Sequence, residues 1–341
     1  MEWDREPIVA LNARLRVRSA NFDEISLIGT TLEVDSEPMD DVDSTNGEDL
    51  DSTATSLASA ATHYRYEHGR RYHAYKDGKY HLPNDEQEIS RLELQHRIWY
   101  LTLNGRSHLA PIPESITNAL DVGCGTGSWA IDFATMYPSA EVIGTDLSGP
   151  IQPTNVPPNC TFLIDDATAD WAFPKKFDFI HVRMISIGIK DWPRFFNECF
   201  KSLKPGGWVE MQEWSAPFGC DDGSAPLDTP FMRWGSDGKG AAAKAGLDVQ
   251  AAKKFPIYLE QSGFVDVQET KTKWPLGPWP RGKREKKIGE LFLKDMLEAL
   301  RAASIGLYTR VLGWTEEAVD EWLEEVKKDM LDPKRHTYMP M

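Results

Sequence analysis

A glycine-rich turn between an apolar and an amphipathic stretch is the part of this sequence best suited to bind a ligand. In LDVGCGTGSWAIDFA, residues 120–134, Gly123, Gly125 and Gly127 stand within five positions. A strand that ends in such a turn and opens a helix exposes bare backbone, and the unpaired N–H groups at the helix start carry partial positive charge. The turn therefore predicts a site for an anionic or electron-rich ligand, although a tight turn without a ligand is the alternative.

Two carboxylates indicate which ligand this turn would bind. Asp121 precedes the first glycine, and Asp146 closes the next predicted strand, 19 residues after Gly127, where a carboxylate can accept both hydroxyls of a ribose. Ser128 replaces the third glycine of the dinucleotide pattern G-x-G-x-x-G, and no Arg or Lys stands nearby to bind a pyrophosphate. A cationic nucleoside with an amino group, such as S-adenosylmethionine (SAM), fits better than NAD. A helix cap is the alternative role for Asp146.

The segments around the turn alternate between strand and helix patterns. The predicted strands are TNALDVG, EVIGTDL, CTFLIDDA, FDFIHVRMI and WVEMQEW, and the helices between them include SWAIDFATMY and FFNECFKSL. Strands interleaved with helices of this length indicate a parallel sheet that is covered on both faces. We therefore predict an α/β fold with a doubly wound, mostly parallel sheet.

Further elements flank this region on both sides. Asn84 and Gln87 form a capping box before apolar residues at helical spacing, which predicts a helix over about 85–103, closed by Gly105. After a loop at 215–240 we expect a helix ending near Gly263 and two more at about 284–303 and 315–330. The final residues, HTYMPM, would form a strand beside FVDVQETK.

The composition divides the chain into three parts. Residues 32–51 hold nine acidic residues and no basic one, and the segment STATSLASAAT that follows them contains almost no large apolar residue. Such a segment cannot repay its ordering entropy. We predict an acidic disordered tail over residues 1–62, a helical lid segment over 63–110 and a catalytic domain over 111–341.

Charge and composition also exclude several function classes. The net charge of −15, from 38 basic and 53 acidic residues, disfavours nucleic acid as a partner. No apolar run approaches the ~20 residues of a membrane span, so we expect no membrane contact and a cytoplasmic location, or a nuclear one for a regulatory protein. The four cysteines lie far apart, which predicts neither disulfides nor a metal site.

As a set, seven motifs over about residues 64–341 resemble class I SAM-dependent methyltransferases, and more narrowly the fungal LaeA-like group associated with secondary metabolism. They are YEHGRRYHAYKDGKYHLPND, LDVGCGTGSWAIDFA, VIGTDLSGPIQP, FLIDDATADW, FDFIHVRMI, LKPGGWVEMQEW and LYTRVLGW. The resemblance implies a Rossmann-like, seven-stranded sheet with SAM across the C-terminal ends of its strands.

The resemblance also implies roles for particular residues. It places the glycine turn along the methionine moiety, Asp146 on the ribose and Asp166 with Ala167 beside the adenine, while Asp165 is an alternative to Asp166. The residues that would form the cofactor site or the lid over it are Asp121, Gly123, Gly125, Gly127, Asp146, Leu147, Asp166, Ala167, Arg183, Arg70 and Tyr72.

The function predicted from these features is methyl transfer from SAM to a small-molecule acceptor, such as a secondary metabolite. His181 is the candidate catalytic base, with a hydrogen-bonded core histidine as the alternative role. A base is optional, because alignment of acceptor, methyl group and sulfur supplies most of the acceleration. Trp208 and Trp214 would flank the acceptor. The alternative function is a regulatory subunit that keeps the SAM fold and binds protein partners through its tail or lid.

Overall fold

The computed structural model describes residues 11–14, 64–73, 83–148, 153 and 156–341 of the 341-residue chain. Its α-helices are α1 (Glu86–Thr102), α2 (Ser128–Met136), α3 (Trp192–Ser202), α4 (Pro230–Lys244), α5 (Phe255–Gln261), α6 (Lys283–Arg310) and α7 (Glu316–Met330). Its strands are β1 (Leu11–Arg14), β2 (Tyr64–Glu67), β3 (Arg70–His73), β4 (Asn118–Val122), β5 (Glu141–Asp146), β6 (Cys160–Ile164), β7 (Phe177–Arg183), β8 (Leu203–Gln212), β9 (Gly219–Cys220), β10 (Val265–Gln268), β11 (Lys273–Pro275) and β12 (Thr337–Pro340).

Five parallel strands form the centre of the main sheet, in the order β8-β7-β4-β5-β6. Apolar clusters cover both faces. Trp129 and Phe133 of α2 belong to one cluster, and Phe195 and Phe196 of α3 belong to another. Because both faces of the sheet are covered, the central strands are buried at consecutive positions, as in Phe179–Val182. The predicted doubly wound parallel sheet is confirmed.

Two short antiparallel strands extend the sheet beyond β8. β1 pairs with β8 on one side and with β10 on the other. The expected count of seven strands is reached only when these two are included. β1 also places four residues of the predicted disordered tail, 1–62, in the sheet. The remainder of that tail lies outside the described residues and stays a prediction.

The C-terminal strand pairs differently from the expectation. β12 lies between β11 and β9 in a separate three-stranded sheet, rather than beside β10. Trp274 of β11 and Met339 of β12 are direct partners, and both are buried in an apolar cluster with α1, α6 and α7. This shared burial stabilises the pairing with β11, whereas β10 lies at the edge of the main sheet.

The segment predicted as a helical lid, residues 63–110, begins as a hairpin and becomes helical only after it. β2 and β3 form an antiparallel pair, followed by α1, which confirms the helix predicted over about 85–103. The N-cap is Asp85, whose carboxylate accepts a hydrogen bond from the Glu88 backbone, rather than Asn84 of the predicted capping box. Asn84 instead donates to the Ser148 hydroxyl at 3.0 Å, so its side chain is directed toward the main sheet.

None of the helices in the described ranges combines the length and the apolar character needed to cross a lipid bilayer.

The contact between α6 and the loop after β11 yields a stability prediction. A Cβ atom on Gly289 would lie 2.0 Å from the Gly277 carbonyl oxygen, whereas a Cβ on Gly240 of α4 would have no atom within 4 Å. Gly289→Ala should therefore lower the free energy of unfolding by about 1 to 3 kcal/mol, because backbone must move. Gly240→Ala, the matched control at an exposed position of α4, should raise it by up to about 1 kcal/mol. Denaturant titration measures both; equal effects would refute the steric explanation.

Candidate functional site

The glycine turn connects β4 to α2 with a backbone that only glycine adopts easily. Gly123, Gly125 and Gly127 have φ angles of 70°, 55° and 79°. A Cβ on Gly123 would lie 2.4 Å from a methyl carbon of Ile185, and one on Gly127 would lie 2.4 Å from the Phe162 ring. The backbone angles therefore favour glycine at all three positions, and the lack of space requires it at Gly123 and Gly127.

Asp146, at the end of β5, joins two loops at the C-terminal edge of the sheet. Its Oδ2 accepts a hydrogen bond from the Gly125 N–H, and its Oδ1 accepts one from the Ser148 N–H, both at 2.9 Å. The side chain therefore orders the turn at the position where the sequence predicts a contact with a ribose.

The loop after β6 brings a second pair of carboxylates to the same region. Asp166 is buried, and its Oδ1 accepts hydrogen bonds from the Thr168 N–H and hydroxyl at 2.9 and 2.7 Å. Asp165 accepts the Asp166 N–H. Both aspartates and Ala167 line the cavity described below, so the choice between the two aspartates stays open.

Arg183, at the end of β7, carries a partly buried positive charge. Its Nη2 donates to His96 Nδ1 at 3.1 Å, and His96 Nε2 lies 2.9 Å from Asp132 Oδ2. Because arginine can only donate, Nδ1 accepts and Nε2–H donates to the aspartate. Burial lowers the pKa of Arg183, and no carboxylate of the described residues forms an ion pair with it. An anionic ligand group would therefore be stabilised at this position.

These elements surround a cavity of about 410 Å³. One end lies against the glycine turn, Asp146 and Arg183. The other end is lined by apolar and aromatic side chains, mainly from the segment after β8 and from α4 and α6: Trp214, Phe218, Trp234, Met296, Leu300 and Tyr308. A polar end and an apolar end in one cavity suit two ligands that meet in the middle.

A buried charged cluster, Glu88–Arg91–Asp295, also lines the cavity and was not found in the sequence. Arg91 binds both oxygens of Glu88, at 2.6 and 2.9 Å, and Asp295 Oδ1 at 2.8 Å. Burial raises the pKa of Asp295 to about 6. The spacing of Glu88 and Arg91 on α1 was visible in the sequence, but no local signal connects them to Asp295 on α6.

The cavity brings together only part of the predicted cofactor site. The predicted residues that line it are Gly123, Gly125, Asp146, Leu147, Asp166, Ala167 and Arg183. The predicted residues that do not line it are Asp121, Gly127, His181, Arg70 and Tyr72. Gly127 is the N-cap residue of α2, and its left-handed backbone still shapes the glycine turn.

His181 does not reach the cavity, so the geometry gives no support to a catalytic base. The ring is fully buried, stacks on Trp129 at 3.8 Å, and places Nδ1 2.7 Å from Asp121 Oδ1. The two residues are direct partners in the pairing of β4 with β7. This geometry corresponds to the alternative role, a hydrogen-bonded core histidine, and it also keeps the Asp121 carboxylate away from the mouth of the turn.

Arg70 and Tyr72 likewise act from outside the cavity. Arg70 binds both carboxylate oxygens of Asp85, the N-cap of α1, and Tyr72 is buried. Arg70, predicted as a lid residue over the site, therefore fixes the start of α1 instead. Of the two tryptophans expected near the acceptor, Trp214 lines the cavity, whereas Trp208 is buried in the cluster around α2.

Glu213 fixes the loop that carries the cavity residues after β7. Its buried carboxylate accepts backbone N–H groups of Ile185, Ser186 and Trp214 at 2.9 to 3.1 Å. Burial raises the pKa of Glu213 to about 7 despite these hydrogen bonds.

Comparison with known proteins adds evidence that is independent of the geometry. A family model described as "Methyltransferase domain" matches residues 94–269. Methyltransferase pytC of Aspergillus terreus is 39% identical over 80% of this chain and 84% of its own length. Secondary metabolism regulator LAE1 of Cochliobolus heterostrophus is 34% identical, over 84% of this chain and 95% of its own length. Protein-methionine methyltransferase laeA of Emericella nidulans is 34% identical, over 86% and 79%.

The raised pKa of Glu213 predicts a pH dependence of stability. A carboxyl group whose folded pKa exceeds its unfolded pKa contributes stability that is complete below about pH 4.5 and is lost as the pH rises through about 7. Glu213→Gln, which cannot ionise, should remove this loss, a difference on the order of 1 to 3 kcal/mol between pH 5 and 8. Denaturant titrations at several pH values measure it, with Glu290→Gln on the exposed face of α6 as control. An unchanged pH slope in Glu213→Gln would contradict the prediction.

Proposed function

This chain belongs to the SAM-dependent methyltransferase family, among fungal secondary-metabolism relatives that include LaeA, and we propose that it methylates a small molecule bound in the described cavity. One observation carries the proposal. A single cavity of about 410 Å³ joins the glycine turn and Asp146 to a wall of apolar and aromatic side chains. Such a wall suits a small organic acceptor better than an extended polar chain.

The polar end of the cavity fits SAM. The glycine turn allows close approach to its backbone, Asp146 would accept the ribose hydroxyls, and Asp165 or Asp166 would lie beside the adenine. Arg183 would pair with the carboxylate of the methionine moiety, since it otherwise lacks a carboxylate partner among the described residues. When bound, SAM supplies an electrophilic methyl group on a positively charged sulfur.

The contribution of the chain is to position the acceptor and to exclude water. Trp214, Phe218 and Trp234 form one aromatic wall, and the Trp234 ring is fixed because its Nε1 donates to the Ser304 hydroxyl at 2.8 Å. A fixed wall reduces the freedom of a bound acceptor, which is worth several powers of ten in rate. His181 has no part in this mechanism, because it lies outside the cavity.

A protein acceptor is the second candidate, and the name of one relative favours it. LaeA of Emericella nidulans is named a protein-methionine methyltransferase. In that case a side chain of the partner protein would enter the apolar end of the cavity. The chain would then act as a regulator of protein partners in the nucleus, rather than as an enzyme of small-molecule metabolism in the cytoplasm.

Transfer of a labelled methyl group tests the proposed function. The protein is incubated with methyl-labelled SAM and a fungal extract separated into small molecules and protein. We expect label in the small-molecule fraction and no protein label above that of a boiled sample. Label in a protein, on methionine or elsewhere, would favour the second candidate, and no transfer at all would contradict both.

Two substitutions at the polar end should have different effects on two ligands. S-adenosylhomocysteine and 5′-methylthioadenosine share the adenosine and the thioether, but only the first carries the amino-acid carboxylate. Arg183→Met should weaken the first by about ten- to a hundredfold and leave the second nearly unchanged, because one charged hydrogen-bonded contact is lost. Asp146→Ala should weaken both, since both contain the ribose. Isothermal calorimetry measures all four affinities.

Arg183→Lys serves as the matched control, because it keeps the charge and should retain part of the preference for S-adenosylhomocysteine. Equal weakening of both ligands by Arg183→Met would contradict the assignment of the carboxylate to Arg183.

A further inference from the structure

Asp295 lines the cavity from α6 with a carboxylate that the described residues satisfy only in part. The residue is 2% exposed. Its Oδ1 accepts a hydrogen bond from Arg91, whereas none of the described residues donates to Oδ2. Because the residue is shielded from bulk water, a ligand in the cavity that supplies a donor to Oδ2 would gain a charge-assisted hydrogen bond.

The charge of the Glu88–Arg91–Asp295 cluster also favours a ligand that donates a hydrogen bond. Glu88 binds Arg91 through both of its oxygens, and Asp295 binds the same guanidinium through one. Two carboxylates therefore share one guanidinium in a place sheltered from water. The excess negative charge attracts a hydrogen-bond donor and repels an anion.

The position of the cluster places Asp295 between the two ends of the cavity. Leu92, next to Arg91, lies 3.5 Å from the Cβ position of Gly125 in the glycine turn. On the other side, small cavity-lining residues follow Asp295 along α6 at helical spacing, Ala299, Ala303 and Gly306, over roughly 16 Å. These small side chains leave a slot in the cavity along α6 that begins at Asp295.

We propose that Asp295 selects methyl acceptors that carry a hydroxyl or amine hydrogen on an aromatic body, by accepting that hydrogen bond at Oδ2. The proposal rests on the proposed function, since it assigns the acceptor to the apolar end. The aromatic body would lie in the slot, and the hydroxyl or amine, which is the group to be methylated, would point toward the glycine turn.

Paired probes test this selection directly in protein saturated with S-adenosylhomocysteine. 2-Naphthol and 2-naphthylamine carry the donor, and 2-methoxynaphthalene has nearly the same shape without it. We expect at least one donor probe to bind the wild-type protein roughly tenfold or more tightly than the methoxy compound. In Asp295→Asn that preference should fall below about threefold, while affinity for the methoxy compound stays the same.

Glu290→Gln, on the exposed face of the same helix, is the matched control and should keep the full preference. Ala299→Phe fills the slot without a change in charge, so it should abolish probe binding and leave S-adenosylhomocysteine binding intact. This variant and the wild-type comparison still decide the question if Asp295→Asn does not fold.

The proposal would be overturned if the wild-type protein bound none of the probes or bound all three equally. It would also be overturned if Asp295→Asn kept the preference for the donor probes. If Asp295→Asn lost S-adenosylhomocysteine affinity as strongly as probe affinity, the result would overturn the proposal and assign Asp295 to the cofactor ammonium group. Failure of the wild-type protein to bind S-adenosylhomocysteine would instead refute the proposed function itself.

Discussion

The site depends first on the carboxylate of Asp146, which accepts hydrogen bonds from the Gly125 and Ser148 backbones at the end of β5. These two bonds connect the glycine turn to the next loop, and Ser148 in turn accepts the Asn84 amide just before α1. Through one side chain, the polar end of the cavity and the start of α1 are therefore positioned together. The left-handed glycines make this possible, because a Cβ at Gly123 or Gly127 would collide with Ile185 or Phe162.

The apolar end of the cavity depends on α6, which packs against α1, α7 and β11 over most of its 28 residues. One face of this helix is buried in a large apolar cluster, and another carries Asp295, Ala299, Ala303 and Gly306 into the cavity. The same helix thus supplies both the packing against α1 and the small side chains that leave room in the cavity. Met296, Leu300 and Tyr308 belong to the apolar cluster and also line the cavity, so a substitution at these positions affects the core and the cavity together.

The sequence predicted the elements and turns that depend on local spacing, and it missed contacts between residues that lie far apart in the chain. Alternation of strand and helix patterns predicted the parallel sheet, and the glycine spacing predicted the turn, because each depends on neighbouring residues. The pairing of β12 with β11, the contact of Asp121 with His181 and the contact of Arg91 with Asp295 join residues 60 or more positions apart. His181 lies two residues before Arg183, so strand alternation puts both side chains on the same face of β7, yet of these two only Arg183, at the end of the strand, lines the cavity.

The chemistry of Asp295 bears on which of the two acceptor classes fits this cavity. A methionine thioether has no hydrogen to donate, so it would leave Oδ2 of Asp295 without a partner in a buried site. A hydroxyl or amine on an aromatic body would supply that donor and could also pack against Trp214 and Trp234, which line the same cavity. The proposed role of Asp295 therefore predicts that this chain prefers such an acceptor over a thioether, whereas a relative at 34% identity is named for methylating protein methionine.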